Sequence, residues 1–294
     1  MTTNPFKRAT KSQAKLRMAL MGPSGSGKTF TALSVAQALG RVAVIDTEHG
    51  SASKYGDRFT FDVLELTDYH PQQYIDAIRA AGDAGDYDVL VIDSLSHAWN
   101  GTGGVLEIVD KLARKSDAKN TFAAWRDATP LHNALVEALL AAPLHLLVTM
   151  RSKTEYVLER DERGKMTPRK IGLAPVQREG MEYEFDVVAE MDMQNTLMVS
   201  KTRIPRLTGK VIPQPGAALG ETLKAWLLDG TPLHWVKNGG GQRFNARMKE
   251  LGLTAEFVLA YLEAGRALEK LSDTTLDEGT AMARLEELAA EKDS

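Results

Sequence analysis

Residues 22–29, with the sequence GPSGSGKT, constrain the fold of this chain more than any other segment. They match the pattern G-x-x-x-x-G-K-[ST], which forms a loop around phosphates when it follows a strand and opens a helix. Both neighbours are predicted here, because residues 16–21 are an apolar run and residues 28–39 have a helical pattern that ends before Gly40. The segment therefore predicts a phosphate-binding loop.

The chemistry of this loop follows from its residue types. Glycines let backbone N–H groups converge on phosphate oxygens, and the helix N-terminus adds a favourable dipole. Lys28 supplies a positive charge for the β- and γ-phosphates, and the Thr29 hydroxyl is a candidate ligand for Mg²⁺. The residues expected to bind the nucleotide are Gly22, Pro23, Ser24, Gly25, Ser26, Gly27, Lys28 and Thr29.

Apolar runs and helical patterns alternate along residues 16–228. The predicted strands are nearly continuous in apolar residues, as expected for strands buried on both faces. They lie at residues 16–21, 42–46, 89–93, 145–150, 186–191 and 196–201. Helices are predicted between several of them, at residues 28–39, 72–81, 105–114 and 131–140. The alternation predicts an α/β fold with a mostly parallel central sheet flanked by helices.

A second motif, YDVLVIDS at residues 87–94, is an apolar strand that ends in an aspartate. This is the Walker B pattern, and it makes Asp93 the second predicted ligand of Mg²⁺. Many ATPases place the glutamate that activates water directly after this aspartate, whereas Ser94 follows it here. A carboxylate that activates water must therefore come from another strand.

The best candidate for that carboxylate is Glu48. It follows the strand predicted at residues 42–46, and the carboxyl ends of parallel strands open onto one crevice. Asp46 is a rival, although a structural capping role explains it equally well. The alternative for Glu48 is an ordinary solvent-facing residue in a loop.

These motifs together resemble the RecA-like recombinase ATPases. In that family the second core strand ends in aspartate, a small residue and glutamate, as Asp46-Thr47-Glu48 does here, and serine follows the Walker B aspartate. A basic-x-basic pair late in the core, here Lys201-Thr202-Arg203, reaches the ATP of the neighbouring subunit in the family. The likeness covers residues 16–228 and points to phage-type, core-only members that act in single-strand annealing or recombination.

The resemblance implies a protein that binds and hydrolyses ATP with Mg²⁺, acts on single-stranded DNA and forms a homo-oligomer with ATP sites between subunits. The catalytic residues that it implies are Lys28, Glu48, Lys201 and Arg203. One departure from the family is that the residue that senses the γ-phosphate is missing or has moved to Arg151. RecA-like proteins usually place a glutamine that senses the γ-phosphate near the end of the strand after Walker B, where this chain has Thr149, Met150 and Arg151.

Residues 151–170 hold seven basic and four acidic residues, a local charge of +3. They predict a hairpin with strands at 156–160 and 165–171, which in the family corresponds to a DNA-binding loop. Basic side chains release counterions from phosphates, and an aromatic ring offers a face for a base to stack on. The predicted DNA contacts are Arg151, Lys153, Tyr156, Lys165 and Arg169. Without the resemblance, a solvated surface hairpin explains the same residues.

The chain is predicted to contain a basic arm at residues 1–15, the core at 16–228, a flexible linker at 229–243 and a small helical module at 244–294. The last 24 residues hold seven acidic and two basic residues. This charge favours docking of a protein partner, such as a recombination or single-strand-binding protein, or an autoinhibitory role. A stabilising helical cap is the alternative.

Composition narrows the remaining classes. Of the 294 residues, 43% are apolar and 26% are charged, which excludes collagen-like and disordered chains. No run approaches the length of a membrane span, and the chain has no cysteine and no secretory signal, so we expect a cytoplasmic protein. The net charge of −3 means that any nucleic-acid surface depends on local charge.

Proteins with three other functions carry the same nucleotide-binding motifs. A replicative helicase or helicase loader would act by directional strand displacement. A small-molecule kinase would transfer phosphate without DNA. A nucleotide-gated binding module would bind ATP with negligible turnover.

Overall fold

The computed structural model describes residue 6 and residues 14–115, 121–160, 166–229 and 241–253. Within these residues the chain forms nine β-strands and seven α-helices. The strands are β1 (Arg17–Gly22), β2 (Val42–Asp46), β3 (Phe61–Glu65), β4 (Val89–Asp93), β5 (His145–Arg160), β6 (Met166–Pro175), β7 (Val187–Met191), β8 (Thr196–Thr202) and β9 (Val211–Pro213). The helices are α1 (Lys28–Leu39), α2 (Pro71–Asp83), α3 (Ser96–Asn100), α4 (Val105–Lys115), α5 (Thr121–Ala141), α6 (Ala217–Leu228) and α7 (Gly241–Glu250).

The central sheet has the strand order β3-β2-β4-β5-β1-β7-β8-β9, and β6 pairs with β5 outside this path. Each pair from β3 to β7 is parallel, whereas β8 and β9 are antiparallel to their neighbours. The α/β fold with a mostly parallel sheet and flanking helices is thus confirmed. It sets the carboxyl ends of β1, β2 and β4 along one edge of the sheet, where β5 leaves the sheet and continues into its pairing with β6.

The core forms because these strands are apolar on both faces. One face carries Ile45, Ile92 and Val148, which belong to a buried cluster that also contains residues of α2 and α5. The alternate residues of the same strands, such as Val44 and Val91, are equally buried. Helix α1 contacts β1, β4 and β5. Burial on both sides holds the strands that carry the motifs in a rigid sheet.

Elements that differ from the sequence prediction include α5, β5 and β3. The helix predicted at residues 131–140 starts at Thr121 and passes through Pro130, because the buried side chains on either side of the proline offset the hydrogen bond that it cannot donate. Strand β5 continues ten residues past the predicted end at 150. Strand β3 was not predicted, since it is an edge strand with exposed residues rather than an apolar run.

The chain divides into two compact units. One unit, Lys15–Thr222, contains the whole sheet, and the other consists of Met1–Ala14 and Leu223–Ser294. The predicted arm, linker and C-terminal module lie mostly outside the described residues, so these boundaries stay predictions. Across the ranges that the structure describes, no helix is both long and apolar enough to cross a membrane.

The start of β5 generates a pH-dependent contribution to stability. The Nδ1 atom of His145 accepts a hydrogen bond from the Leu16 backbone N–H at 3.0 Å, and burial lowers the pKa of this histidine to about 4. The unfolded chain protonates the same ring near pH 6.5. The contribution of His145 to the free energy of unfolding is therefore fully present above pH 6.5 and is lost as the pH falls toward 4.

His145→Asn keeps a hydrogen-bond acceptor but does not titrate. Between pH 7 and pH 4.5, we therefore expect the free energy of unfolding of this variant to fall by about 2–3 kcal/mol less than that of the wild type. Urea unfolding of both proteins at the two pH values measures the difference. An identical pH dependence in the variant would contradict the assignment.

Candidate nucleotide-binding site

A cavity of about 800 Å³ opens at the carboxyl edge of the sheet. It brings together the loop after β1, the end of β4, the middle of β5, the residue two positions after β2, and the turn between β7 and β8. The residues that line it include Gly22, Pro23, Ser24, Gly25, Gly27, Lys28, Thr29, Phe30, Glu48, Tyr55, Asp93, Arg151, Asn195 and Gln214.

The loop between β1 and α1 is shaped by two close approaches. Gly27 caps the N-terminus of α1 with a φ of 85°, and a Cβ atom there would lie 2.8 Å from Asn195 Oδ1. A Cβ atom on Gly22 would lie 2.5 Å from the carbonyl oxygen of Met191. Only glycine fits both positions, so the loop follows the neighbouring β7–β8 turn closely and leaves backbone N–H groups at the helix start.

Lys28 lies in the first turn of α1 and folds back over this loop. Its Nζ atom donates to the carbonyl oxygen of Pro23 at 2.7 Å. Burial lowers the pKa of Lys28, and the charges of Asp93 and Glu48 oppose that shift. The ammonium group thus stands among two carboxylates beside the helix N-terminus, where it can meet a polyphosphate.

Asp93, at the end of β4, is buried and bonded to two hydroxyl groups. Thr29 Oγ1 donates to Asp93 Oδ2 at 2.6 Å, and Thr149 Oγ1 donates to the other carboxylate oxygen. Burial raises the pKa of Asp93, while these hydrogen bonds favour its ionised form. The peptide bond from Asp93 to Ser94 is cis.

The donor set at Thr29 and Asp93 suits Mg²⁺. A hydroxyl and a carboxylate are hard oxygen ligands, and Mg²⁺ commonly takes one or two carboxylates together with substrate phosphates and water. Within the described part of the chain, no group of three or more His, Asp or Glu residues could hold a metal ion. The residues present fit a magnesium ion shared with a bound nucleotide rather than an all-protein metal cage.

Glu48 follows β2 and presents its carboxylate to the cavity. Its Oε1 atom accepts hydrogen bonds from Ser94 Oγ at 3.1 Å and from Arg151 Nε at 3.0 Å, and its Oε2 atom accepts one from Arg151 Nη2 at 2.6 Å. Burial alone would raise the pKa of Glu48, but the hydrogen bonds and charge of Arg151 hold it below its ordinary value. The group is an ionised carboxylate at neutral pH.

Asp46, the rival of Glu48, has a different environment. Its two carboxylate oxygens accept hydrogen bonds from the backbone N–H groups of Glu48 and Ala52, at 2.7 and 2.8 Å. It is buried and does not line the cavity. Asp46 therefore holds the loop that carries Glu48, as the capping alternative expected.

A further polar cluster, which sequence reasoning missed, joins the ends of β2 and β4. The backbone N–H of Ser94 donates to Thr47 Oγ1 at 2.7 Å, and the N–H of Thr47 donates to the Asp93 carbonyl oxygen at 2.7 Å. His97 Nδ1 lies 2.8 Å from the same Thr47 hydroxyl, and burial lowers the pKa of His97. These bonds fix Glu48 and Asp93 relative to each other.

The structure places the predicted DNA-binding residues in different surroundings. Arg151 lies in the cavity on Glu48, and Lys153 is exposed two residues further along β5. Tyr156 is on β5 and Arg169 is on β6, whereas Lys165 and the predicted turn lie outside the described residues. Strands β5 and β6 pair as an antiparallel ribbon, with Thr167 opposite Glu159. No observation tests DNA contact, which stays a prediction.

Lys201 and Arg203, at the end of β8, do not line this cavity. Lys201 Nζ donates to three backbone carbonyls, those of Glu182, Tyr183 and Phe185, at 3.2, 2.6 and 2.7 Å. Arg203 is 64% exposed and lies 3.4 Å from Asp186. A role on the ATP of a neighbouring subunit stays a prediction for both residues.

Several residues of the cavity wall were not predicted. Asn195 and Gln214 have φ values of 58° and 47°, and the Gln214 N–H donates to the Asn195 carbonyl oxygen at 2.9 Å. Phe30 and Tyr55 lie edge to face, with ring centroids 6.0 Å apart. Tyr55, Asn195 and Gln214 lie in segments that are distant from the phosphate loop in the sequence, and no local pattern marks them.

The family comparison agrees with this geometry. The model of the AAA domain family matches residues 14–211, which are 198 of the 294 residues. The chain belongs to the AAA domain family and carries a nucleotide-binding P-loop domain of the ATPase type. No curated protein matches it. The finer expectation, a phage-type RecA-like recombination protein, stays a prediction.

We expect Lys28→Ala to weaken binding of a fluorescent ATP analogue by about a hundredfold, because a half-buried positive charge that meets the phosphates is lost. Lys111→Ala is the matched control, since Lys111 is exposed on α4 and pairs only with Glu107 at 2.6 Å among the described ion pairs. Equal affinity of the two variants would contradict the site.

Proposed function

We propose that the protein is a magnesium-dependent ATPase that acts on single-stranded DNA in recombination or strand annealing. One observation carries the proposal. Lys28, Thr29, Asp93 and Glu48 come from three separate segments of the chain and line one cavity at the carboxyl edge of the sheet. This combination provides a phosphate cradle, a metal ligand set and a carboxylate for water.

Nucleotide binding depends on the first turn of α1 and its preceding loop. The backbone N–H groups and the helix dipole favour a polyphosphate, and Lys28 adds a full positive charge. Thr29 and Asp93 would hold Mg²⁺ together with phosphate oxygens. When bound, this ion would neutralise the charge that develops on the phosphate oxygens during phosphoryl transfer.

Glu48 orients the attacking water. A carboxylate fixed near the γ-phosphate positions the nucleophilic water and accepts its proton as a general base. The fixed surroundings of Glu48 support this role, because Ser94 and Arg151 both donate to its carboxylate. Its place on the cavity wall with Lys28 supports it further.

The ribbon of β5 and β6 is the proposed DNA-binding element. Strand β5 runs without a break from the cavity, where it carries Thr149 and Arg151, into its pairing with β6. The segment 151–170 has a charge of +3 in a protein whose net charge is −3. A basic ribbon attached directly to the nucleotide site supports control of DNA binding by the nucleotide.

A homo-oligomer completes the proposal. Arg203 would reach the nucleotide of a neighbouring subunit and stabilise charge on the transferred phosphoryl group, as an arginine finger does. Lys201 would join it by releasing the three backbone carbonyls to which its ammonium donates. The exposure of Arg203 supports such a contact.

We expect Glu48→Gln to bind ATP as tightly as the wild type and to lower turnover by about a hundredfold or more, because the amide cannot accept a proton from water. Phosphate release at saturating ATP and Mg²⁺ measures this. A variant that hydrolyses ATP at the wild-type rate would show that Glu48 is not the water-activating group.

Replacing Lys165 and Arg169 with alanine together should weaken single-stranded DNA binding. The slope of log K against log salt should fall by about 1.4, because two phosphate contacts are lost. The control is Lys111→Ala with Arg126→Ala, two exposed basic residues on α4 and α5. Binding that equals the control would place the DNA site elsewhere.

A further inference from the structure

Arg151 is held at the cavity by its backbone. It stands opposite Gly22 in the pairing of β5 with β1, at the level where the phosphate loop begins. Its N–H donates to Ser96 Oγ at 2.9 Å, and its carbonyl oxygen accepts a hydrogen bond from the Val176 N–H at 2.7 Å. The backbone of Arg151 is therefore fixed by three different segments of the chain.

The guanidinium of Arg151 binds Glu48 as a fork. The two hydrogen bonds, of 3.0 and 2.6 Å, take one site on each carboxylate oxygen, and Ser94 takes a second site on Oε1. A carboxylate has about four lone-pair sites. Three are thus occupied, and the remaining one is on Oε2. This arrangement fixes the carboxylate and leaves a single place for a water molecule.

Arg151 is also the dominant cation facing Glu48. His97 Nε2 lies 4.0 Å from Glu48 Oε1, but burial favours its neutral form, and the charge of Lys28 is shared with Asp93. The hydroxyl of the buried Tyr74 carries no charge at neutral pH. Without Arg151, a negative charge would stand uncompensated in the cavity that receives the phosphates.

We propose that Arg151 is a positioning residue for Glu48, which aligns the carboxylate for water and neutralises it so that a triphosphate can bind beside it. This inference rests on the proposed function of Glu48. Arg151 is then part of the hydrolytic site and is not one of the residues that contact DNA.

Two substitutions of Arg151 distinguish the effect of its charge from the effect of its forked hydrogen bonds. Arg151→Gln removes both, so ATP affinity should fall about tenfold because Glu48 then repels the phosphates. Arg151→Lys keeps the charge but cannot form the fork, so affinity should stay within about twofold of the wild type while kcat falls at least about tenfold. Combining Arg151→Gln with Glu48→Gln should restore affinity, because no charge is left unpaired.

The experiment measures binding of Mg²⁺ with a non-hydrolysable ATP analogue and, separately, kcat and KM for ATP. The proteins are the wild type, Arg151→Gln, Arg151→Lys, Glu48→Gln and the double variant. Arg126→Gln is the control, since Arg126 is 77% exposed on α5, where its ion pair is with Asp127.

Recovery of affinity in the double variant, with a low kcat in Arg151→Lys, would establish the proposal. Affinity that stays low in the double variant would overturn it, because Arg151 would then bind the phosphates directly. Wild-type kcat in Arg151→Lys would overturn it as well. Failure of the proposed function gives a different result, namely wild-type turnover in Glu48→Gln or no nucleotide binding by the wild type.

Discussion

The candidate site depends on the register in which β1, β2, β4 and β5 pair. Asp46 lies opposite Asp93, and Arg151, which lies opposite Gly22, is two residues further along, so the four strands present these residues near the same edge of the sheet. A shift of one residue would turn every side chain of a strand to the other face of the sheet. Both faces of these strands are buried and close-packed, so the packing of the core sets the alignment of the site.

The polar groups at this edge are buried and almost fully paired with one another. Asp93 accepts hydrogen bonds from hydroxyl groups on α1 and β5. The Thr47 hydroxyl, just after β2, accepts a hydrogen bond from the backbone N–H of Ser94, just after β4. Leaving such groups without partners would cost several kcal/mol. The network that satisfies them also holds the phosphate loop, the metal ligands and Glu48 in one arrangement, so the apolar core and the site stabilise each other.

Local sequence patterns predicted much of the fold and of the candidate site. The phosphate loop is contiguous, and the bounds of α1, β2 and β4 match the prediction because apolar runs and a C-terminal glycine mark them. Glu48 was found from its place after a parallel strand. Other features have no local signal: the ion pair between Glu48 and Arg151 joins residues 103 positions apart, and helix α5 continues through Pro130 because of packing.

The sequence by itself determined the α/β class, the phosphate loop and the identity of the carboxylates that could serve it. Those properties follow from residue spacing and from the apolar character of single segments. Only the tertiary structure decided that Asp46 caps a loop while Glu48 faces the cavity, and that Arg151 belongs to the same cavity. Those outcomes depend on hydrogen bonds and charges between segments that the sheet brings together, and no segment contains that information alone.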